Sequence, residues 1–396
     1  MDLKKAKKTD DKYIFGTYRR NRISLVRGRG VYVYDDAGRK YLDLLTGIGV
    51  AALGHAHPRI AAAVKAQVSK LTHVSNLYYT EPMLVLAERL TKLAGMKKAF
   101  FGNSGAEANE AAFKLVRRYH SEVLGDGRYE IICFKNSFHG RTLANVAATG
   151  QPVYQKGFAP LPAGFRHAVF NDAASVEKLI TKKTAAIMVE PVQGEAGVYP
   201  ATKEFMKSLD SLRKKHNLQL IFDEVQCGTG RTGKWYAYMH YGVKPDAITV
   251  AKPIGGGLPL GIMMAQGPVT EGFAPGSHAS TFGANPVVCA AANAFLDVME
   301  EKNIIAGVRE TGAYIMDGLA ELKNRYPAIK DVRGMGLMLG VEMDADAPAA
   351  AEFFLENGII VNAIRKNIIR ILPPFILTAA QADRFLDTLE MFLGKR

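Results

Sequence analysis

Apolar and polar positions along the chain follow two different rhythms. From about residue 81, short apolar runs alternate with amphipathic ones: KKAFFG, YEIICFK, RHAVF, TAAIMVEP, LQLIFDE and DAITVAK, with MLVLAERLTKLAG, SVEKLITK and EFMKSLDSLRKKH among them. The first group is apolar at consecutive positions rather than at every second one. Strands of that kind are buried on both faces, which predicts a mostly parallel sheet covered by helices. The second group has helical spacing. Together they predict an α/β domain, and such sheets bind ligands beyond the carboxyl ends of their strands.

The flanks read differently. GVYVYDDAGRKYLDLL predicts strand, turn, strand, and HPRIAAAVKAQVSKL a helix with Pro58 near its start. NPVVCAAANAFLDVMEEKNI predicts a long helix, with Asn285 as its cap and Pro286 in its first turn. Beyond it, GAYIMDGLAELKNRY predicts a helix, MGLMLGVEM a strand, AAEFFLENGIIVNAI a helix then a strand, and AAQADRFLDTLEMFLGKR the closing helix. The expected division is residues 1–55 as an arm and hairpin belonging to a small domain, 56–300 as a large domain, and 301–396 as the α+β remainder of the small one.

Composition narrows the partners. With 396 residues, 48% of them hydrophobic, the chain can build more than one core. Cys133, Cys227 and Cys289 stand far apart and show no metal-ligand spacing, which suits a reducing, cytoplasmic compartment and no metal. The N-terminal MDLKKAKKTDDKYIF has no apolar core of a signal peptide, and its acidic residues do not suit a transit peptide. No run approaches the roughly 20 apolar residues of a membrane span. A net charge of +13 raises the question of nucleic acid. The lysines are scattered on helical stretches, without an aromatic-interleaved patch, so they read as a solvated surface and no nucleic-acid partner is expected.

Four stretches carry candidate chemistry. In FGNSGAEANEAAFKLVRRY, Ser104 and Glu107 have capping-box spacing, and a helix start with Gly105 can hold an anion, though an ordinary capped helix has the same signature. In FKNSFHGRT, Phe138 could cover a planar ligand and Arg141 grip a carboxylate, or they could be a core aromatic and a surface cation. LIFDEVQCGTGRTGKW ends an apolar strand on Asp223, a carboxylate that needs a partner. Its glycines imitate a phosphate loop, but Trp235 stands where Ser or Thr would bind magnesium, which argues against nucleotide hydrolysis. DAITVAKPIGGGLPLG places Lys252 at the end of the next strand, where it is either a snorkelling cation or an amine set up for covalent chemistry. A helix-start anion site, a planar cover, a strand-end acid and a strand-end lysine are together what pyridoxal phosphate requires.

GHAHP, FGNSGAEANEAAFK, SFHGRT, EPVQGEAGV, DEVQCGTGRTGKW, AKPIGGGLPLG and HASTFGANP follow one another in the order of a known family. Over nearly its whole length the sequence resembles the class III (subgroup II) pyridoxal-phosphate aminotransferases, most closely the acetylornithine and ornithine aminotransferases. The resemblance implies a fold type I transferase with a seven-stranded, mostly parallel sheet, acting as a homodimer with shared active sites on amino-acid and 2-oxo-acid substrates. It implies Lys252 as the Schiff-base lysine, Asp223 as partner of the pyridine nitrogen, Val225 and Gln226 beside the ring, and Phe138 stacked on it. Ser104, Gly105 and Ala106 would bind the phosphate, with Thr281 from the other subunit. For substrate it implies Tyr18, Ser280 and Arg141, with Arg141 on the carboxylate distant from the reacting carbon. Glu195 and Arg370 would form a switch: Arg370 binds the near carboxylate of glutamate, and Glu195 neutralises it when an ω-amine arrives. Gly49, Pro253 and Ala284 depart from the commoner family residues without removing a catalytic side chain. The implied reaction moves the terminal amino group of N2-acetyl-L-ornithine to 2-oxoglutarate. Ornithine, succinyl-diaminopimelate and 4-aminobutyrate are the alternative donors, and a non-catalytic binding protein on the same fold is the remote alternative.

Overall fold

In a computed structural model that describes residues 1–394, the consecutive apolar runs lie side by side in one seven-stranded sheet. Its order is Lys98–Gly102, Gly261–Ala265, Ala247–Val250, Gln219–Asp223, Thr184–Val189, Glu130–Phe134, Phe165–Ala168. Gly261–Ala265 runs antiparallel to both neighbours, while the other pairs are parallel. Five of the strands, from Glu130–Phe134 to Gly261–Ala265, are buried at every position, as consecutive apolar residues between two helical layers must be.

Gly261–Ala265 was not among the strands expected from the pattern, because GIMMA follows directly on glycine-rich turn chemistry. Its first residue has to be glycine: a Cβ on Gly261 would sit 1.9 Å from the carbonyl oxygen of Ser104. The strand thereby passes against the start of helix Gly105–Arg118, which packs an alanine-rich face on the sheet.

The N-terminal hairpin, Tyr32–Asp35 with Lys40–Asp43, is extended by Leu25–Arg29 on one side. On the other, Ile359–Ile360 from near the C-terminus pairs with it in parallel. A second, antiparallel sheet joins Ile329–Met335, Met338–Met343, Ile368–Ile371 and Asn362–Ile364. Helices Ile304–Arg325, Ala347–Glu356 and Ala379–Leu393 complete that part.

The local pattern misled at three places. Leu3–Tyr13 is a helix capped by Asp2, with no buried residue to reveal it as periodic. SVEKLITK contributes only the end of the short helix Ala173–Glu177. Ile329–Met335 is a strand, hidden because charged Asp331 and Arg333 interrupt its apolar run; Arg333 forms ion pairs with both Asp331 and Glu342. The expected closing helix includes Lys395 and Arg396, which lie outside the described residues. Among the described residues no helix is long and apolar enough to cross a membrane.

Candidate active site

Five strand ends meet at one edge of the sheet, and a cavity of about 560 Å³ opens there. The carboxylate of Asp223, the last residue of its strand, is nearly fully buried. Its Oδ2 accepts from Asn109 Nδ2 at 2.9 Å and lies 2.8 Å from His139 Nδ1, and its Oδ1 accepts from Val225 N at 3.0 Å. A carboxylate only accepts, so His139 carries its proton on Nδ1. Asn109 also donates to the His139 carbonyl at 2.7 Å and accepts from Thr249 Oγ1 at 2.6 Å. The acid is held in one orientation by three elements.

Lys252 follows the neighbouring strand by two residues and lines the same cavity. Its backbone is left-handed, φ 52°, a conformation that costs a non-glycine residue roughly 1–3 kcal/mol and fixes where the side chain points. Removal from water pushes the amine's pKa down. Glu195 opposes this and Arg370 adds to it. The glycines after Lys252 form a tight turn, with Gly256 and Gly257 also at positive φ.

Ser104 caps helix Gly105–Arg118 by accepting from Glu107 N at 3.2 Å, and Glu107 reaches back to Asn103 N at 2.9 Å. The first helical amides, at Gly105 and Ala106, face the cavity with no intrahelical partner to bond. A Cβ on Gly105 would come within 2.6 Å of Val225 Cγ1, so only glycine lets the helix start approach the Asp223 strand this closely. Across the cavity lie Phe138 and Arg141, whose guanidinium stacks on Tyr154 at 4.0 Å.

Arg370 Nη1 donates to Glu195 Oε1 at 2.6 Å and to Gln226 Oε1 at 3.0 Å, and Nη2 to Asn362 Oδ1 at 2.7 Å. The guanidinium is buried. Burial alone would raise the pKa of Glu195, but the Arg370 charge and hydrogen bond overcome it and hold the carboxyl below its ordinary range. This pair also bounds an outer chamber of about 570 Å³.

The structure thus brings Lys252, Asp223, Ser104, Gly105, Ala106, Phe138, Val225, Gln226, Arg141 and Glu195 to one cavity, with Arg370 at its boundary. Three expected residues do not line it. Ser280 is one shell out, accepting from Asn103 Nδ2 at 3.2 Å. Thr281 is exposed beside it, and Tyr18 is exposed on the N-terminal arm.

Three contributors were overlooked in the sequence. Asn109 is a polar residue on an otherwise alanine-rich buried face, and that anomaly was the available signal. Glu190 follows its apolar strand just as Asp223 ends its own; burial first, and the Asp223 charge next, push its pKa well up. His139 stood in a quoted motif without a role. No group of three His, Cys, Asp or Glu among the described residues could hold a metal. The donor set could instead hold a planar heterocycle with an anionic arm, a basic ring nitrogen and a carbonyl within reach of Lys252.

Comparison with known proteins bears on what that heterocycle is. Residues 16–393 match the family "Aminotransferase class-III". The acetylornithine aminotransferase of Methanocaldococcus jannaschii is 46% identical over 96% of either chain. The succinylornithine transaminase of Yersinia pseudotuberculosis is 42% identical over 96% of this chain and 94% of that one. Among solved structures, the ornithine aminotransferase of Toxoplasma gondii superposes with a TM-score of 0.95 at 30% identity, covering 100% of this chain and 97% of that chain.

Proposed function

The chain belongs to the class-III aminotransferases, and from that membership we propose that it transfers the terminal amino group of N2-acetyl-L-ornithine to 2-oxoglutarate. The products are N-acetyl-L-glutamate 5-semialdehyde and L-glutamate, a step of arginine biosynthesis. The cofactor is pyridoxal 5′-phosphate. The cavity fits it: the free amides of a helix start face it at Gly105 and Ala106, and a locked, buried carboxylate waits for a protonated ring nitrogen. Ser104, Gly105 and Ala106 would hold the phosphate, Asp223 the ring nitrogen, and Phe138, Val225 and Gln226 the ring. When bound, the cofactor supplies an electron sink for charge developing on the amino-bearing carbon.

The chain's own residues do the rest. Burial shifts Lys252 toward its neutral form, which Nζ needs in order to take up a proton from the substrate carbon. The observation that carries the two-substrate reading is the Glu195–Arg370 pair. A 2-oxoglutarate carboxylate next to the reacting carbon needs a free guanidinium there. A terminal amine brings no carboxylate, and an unpaired buried guanidinium would be costly, so Glu195 covers it.

The donor's α-amine is read by what surrounds it. In the outer chamber Glu195 is the one carboxylate among the described lining residues, and Arg370 already engages it. A free α-ammonium would face arginines without a counter-charge, and acylation removes that charge. The test is a half-reaction panel. Holoenzyme mixed with N2-acetylornithine should convert to the amino form of the cofactor faster than with equimolar ornithine or 4-aminobutyrate. Faster conversion with ornithine would overturn the donor assignment.

The same reading makes the protein a cytoplasmic homodimer whose partner supplies Thr281. In support, Leu77, Tyr78, Tyr79 and Phe282 are exposed around Thr281, and Asn76 Nδ2 ties their two segments together through the Gly283 carbonyl at 2.9 Å. It also divides the chain at residues 55 and 300, supported by Ile359–Ile360 joining the N-terminal sheet.

A further inference from the structure

The outer chamber contains a cation that the proposed reaction leaves unused. Arg365 stands in the turn between Asn362–Ile364 and Ile368–Ile371, five residues before Arg370, and lines the chamber with Ile48, Asn136, Tyr154 and Arg370. Its Nη2 donates to Asn136 Oδ1 at 2.9 Å, linking the C-terminal hairpin to the loop after strand Glu130–Phe134. Both ends of this link are left-handed, φ 56° at Arg365 and 64° at Asn136. Such backbone persists where surrounding structure enforces it, and it clusters at ligand clamps.

Charge distinguishes Arg365 from its neighbour. Arg370 is neutralised by Glu195. Arg365 has a neutral amide oxygen as partner and, among the described residues, no carboxylate within ion-pair distance. A guanidinium in that state gains by exchanging the amide for a carboxylate, since a charge-assisted hydrogen bond is roughly twice as strong as a neutral one. Tyr154 lines the chamber while Arg141, which lines the inner cavity, stacks on the same ring, so the ring joins the two spaces. Ile48, Val153 and Ile364 offer apolar wall for methylene groups.

We propose that Arg365 is a specificity-determining residue that reads the acyl end of the donor and admits, beside N2-acetyl, a dicarboxylic acyl group such as N2-succinyl, whose free carboxylate it binds. This rests on the donor being an N2-acylornithine with its α-carboxylate at Arg141.

The experiment compares kcat/KM for N2-succinylornithine and N2-acetylornithine in wild type, Arg365→Met and Arg365→Lys. Wild type should use both donors. Arg365→Met should lose about tenfold more with the succinyl donor than with the acetyl donor, mainly through KM. Arg365→Lys should recover part of that difference, because the charge remains and the bidentate geometry does not. Equal losses with both donors, or no loss with either, would overturn the proposal while leaving the donor class intact. A wild type inactive with both acyl donors but active with free ornithine would overturn the donor reading and this inference with it.

Discussion

At Lys252 a strained backbone and a desolvated amine coincide, which is a costly way to end a strand unless the amine has work to do. Borohydride reduction of the holoenzyme should attach the cofactor to the peptide containing Lys252. Lys252→Ala should still retain cofactor through the helix start and Asp223, with kcat lower by at least about 10²-fold. Label on another lysine would sink the assignment. Glu224, one residue past Asp223, makes a separate prediction. Burial raises its pKa to about 7 although Ala237 N and Tyr238 N both donate to the carboxyl. The folded state therefore keeps a proton that the unfolded state releases near 4.5, and stability falls as pH rises from about 4.5 to about 7. At about 1.4 kcal/mol per pH unit this amounts to about 3 kcal/mol. Urea unfolding at pH 5 and pH 7, which sample about 2 kcal/mol of that fall, should show it in wild type and a smaller one in Glu224→Gln. The Gln variant should also be less stable at both pH values, because its amide leaves one backbone donor without an acceptor. Equal pH slopes would refute the assignment.

Helix Gly105–Arg118 is the element on which the site turns. Its start offers free amides, and Asn109 on its buried face holds both Asp223 and the strand of Thr249. The start is kept in place by Gly261, so Gly261→Ala should act on cofactor binding from a strand that never touches it. A Cβ 1.9 Å from the Ser104 carbonyl must push the helix start away. Overpacking of this kind costs about 1–3 kcal/mol. Cofactor affinity measured by equilibrium dialysis should drop along with Tm, whereas Gly267→Ala, at positive φ with open space around its Cβ position and away from the cavity, should lower Tm by backbone strain and leave affinity near wild type. Similar affinity losses in both variants would contradict the mechanism. The elements that sequence made legible are those with one dominant signal: fully buried strands, and the helix starts marked by Ser104 and Asn285. Gly261–Ala265 was illegible because its neighbours' glycines speak for turns. Asn109 was illegible because its partners, Asp223 and Thr249, lie more than a hundred residues away.

At the scale of the whole molecule, the site as this chain builds it leaves Thr281 outside, exposed, beside an apolar surface of Leu77, Tyr78, Tyr79 and Phe282. No reading of one chain's pattern could give that placement, because hydrophobic spacing reports burial in the molecule's own core and says nothing of a second copy. The proposed homodimer would cover these exposed aromatics. A two-fold arrangement would place each chain's Thr281 at the other's cavity. Subunit complementation distinguishes a shared site from a merely dimeric protein. Lys252→Ala lacks the proton-transferring amine, and Thr281→Glu brings a negative charge to the proposed phosphate position, so each homodimer should be impaired at both sites. In a mixed dimer one site combines both lesions. The other has a native Lys252 and a native Thr281 from opposite chains. Unfolding and refolding the two variants together should therefore return about a quarter of wild-type activity by random pairing, above the level of either variant alone. If Thr281 served its own chain's cavity, every site in the mixture would keep one lesion, and co-refolding would return no more than the sum of the separate variants.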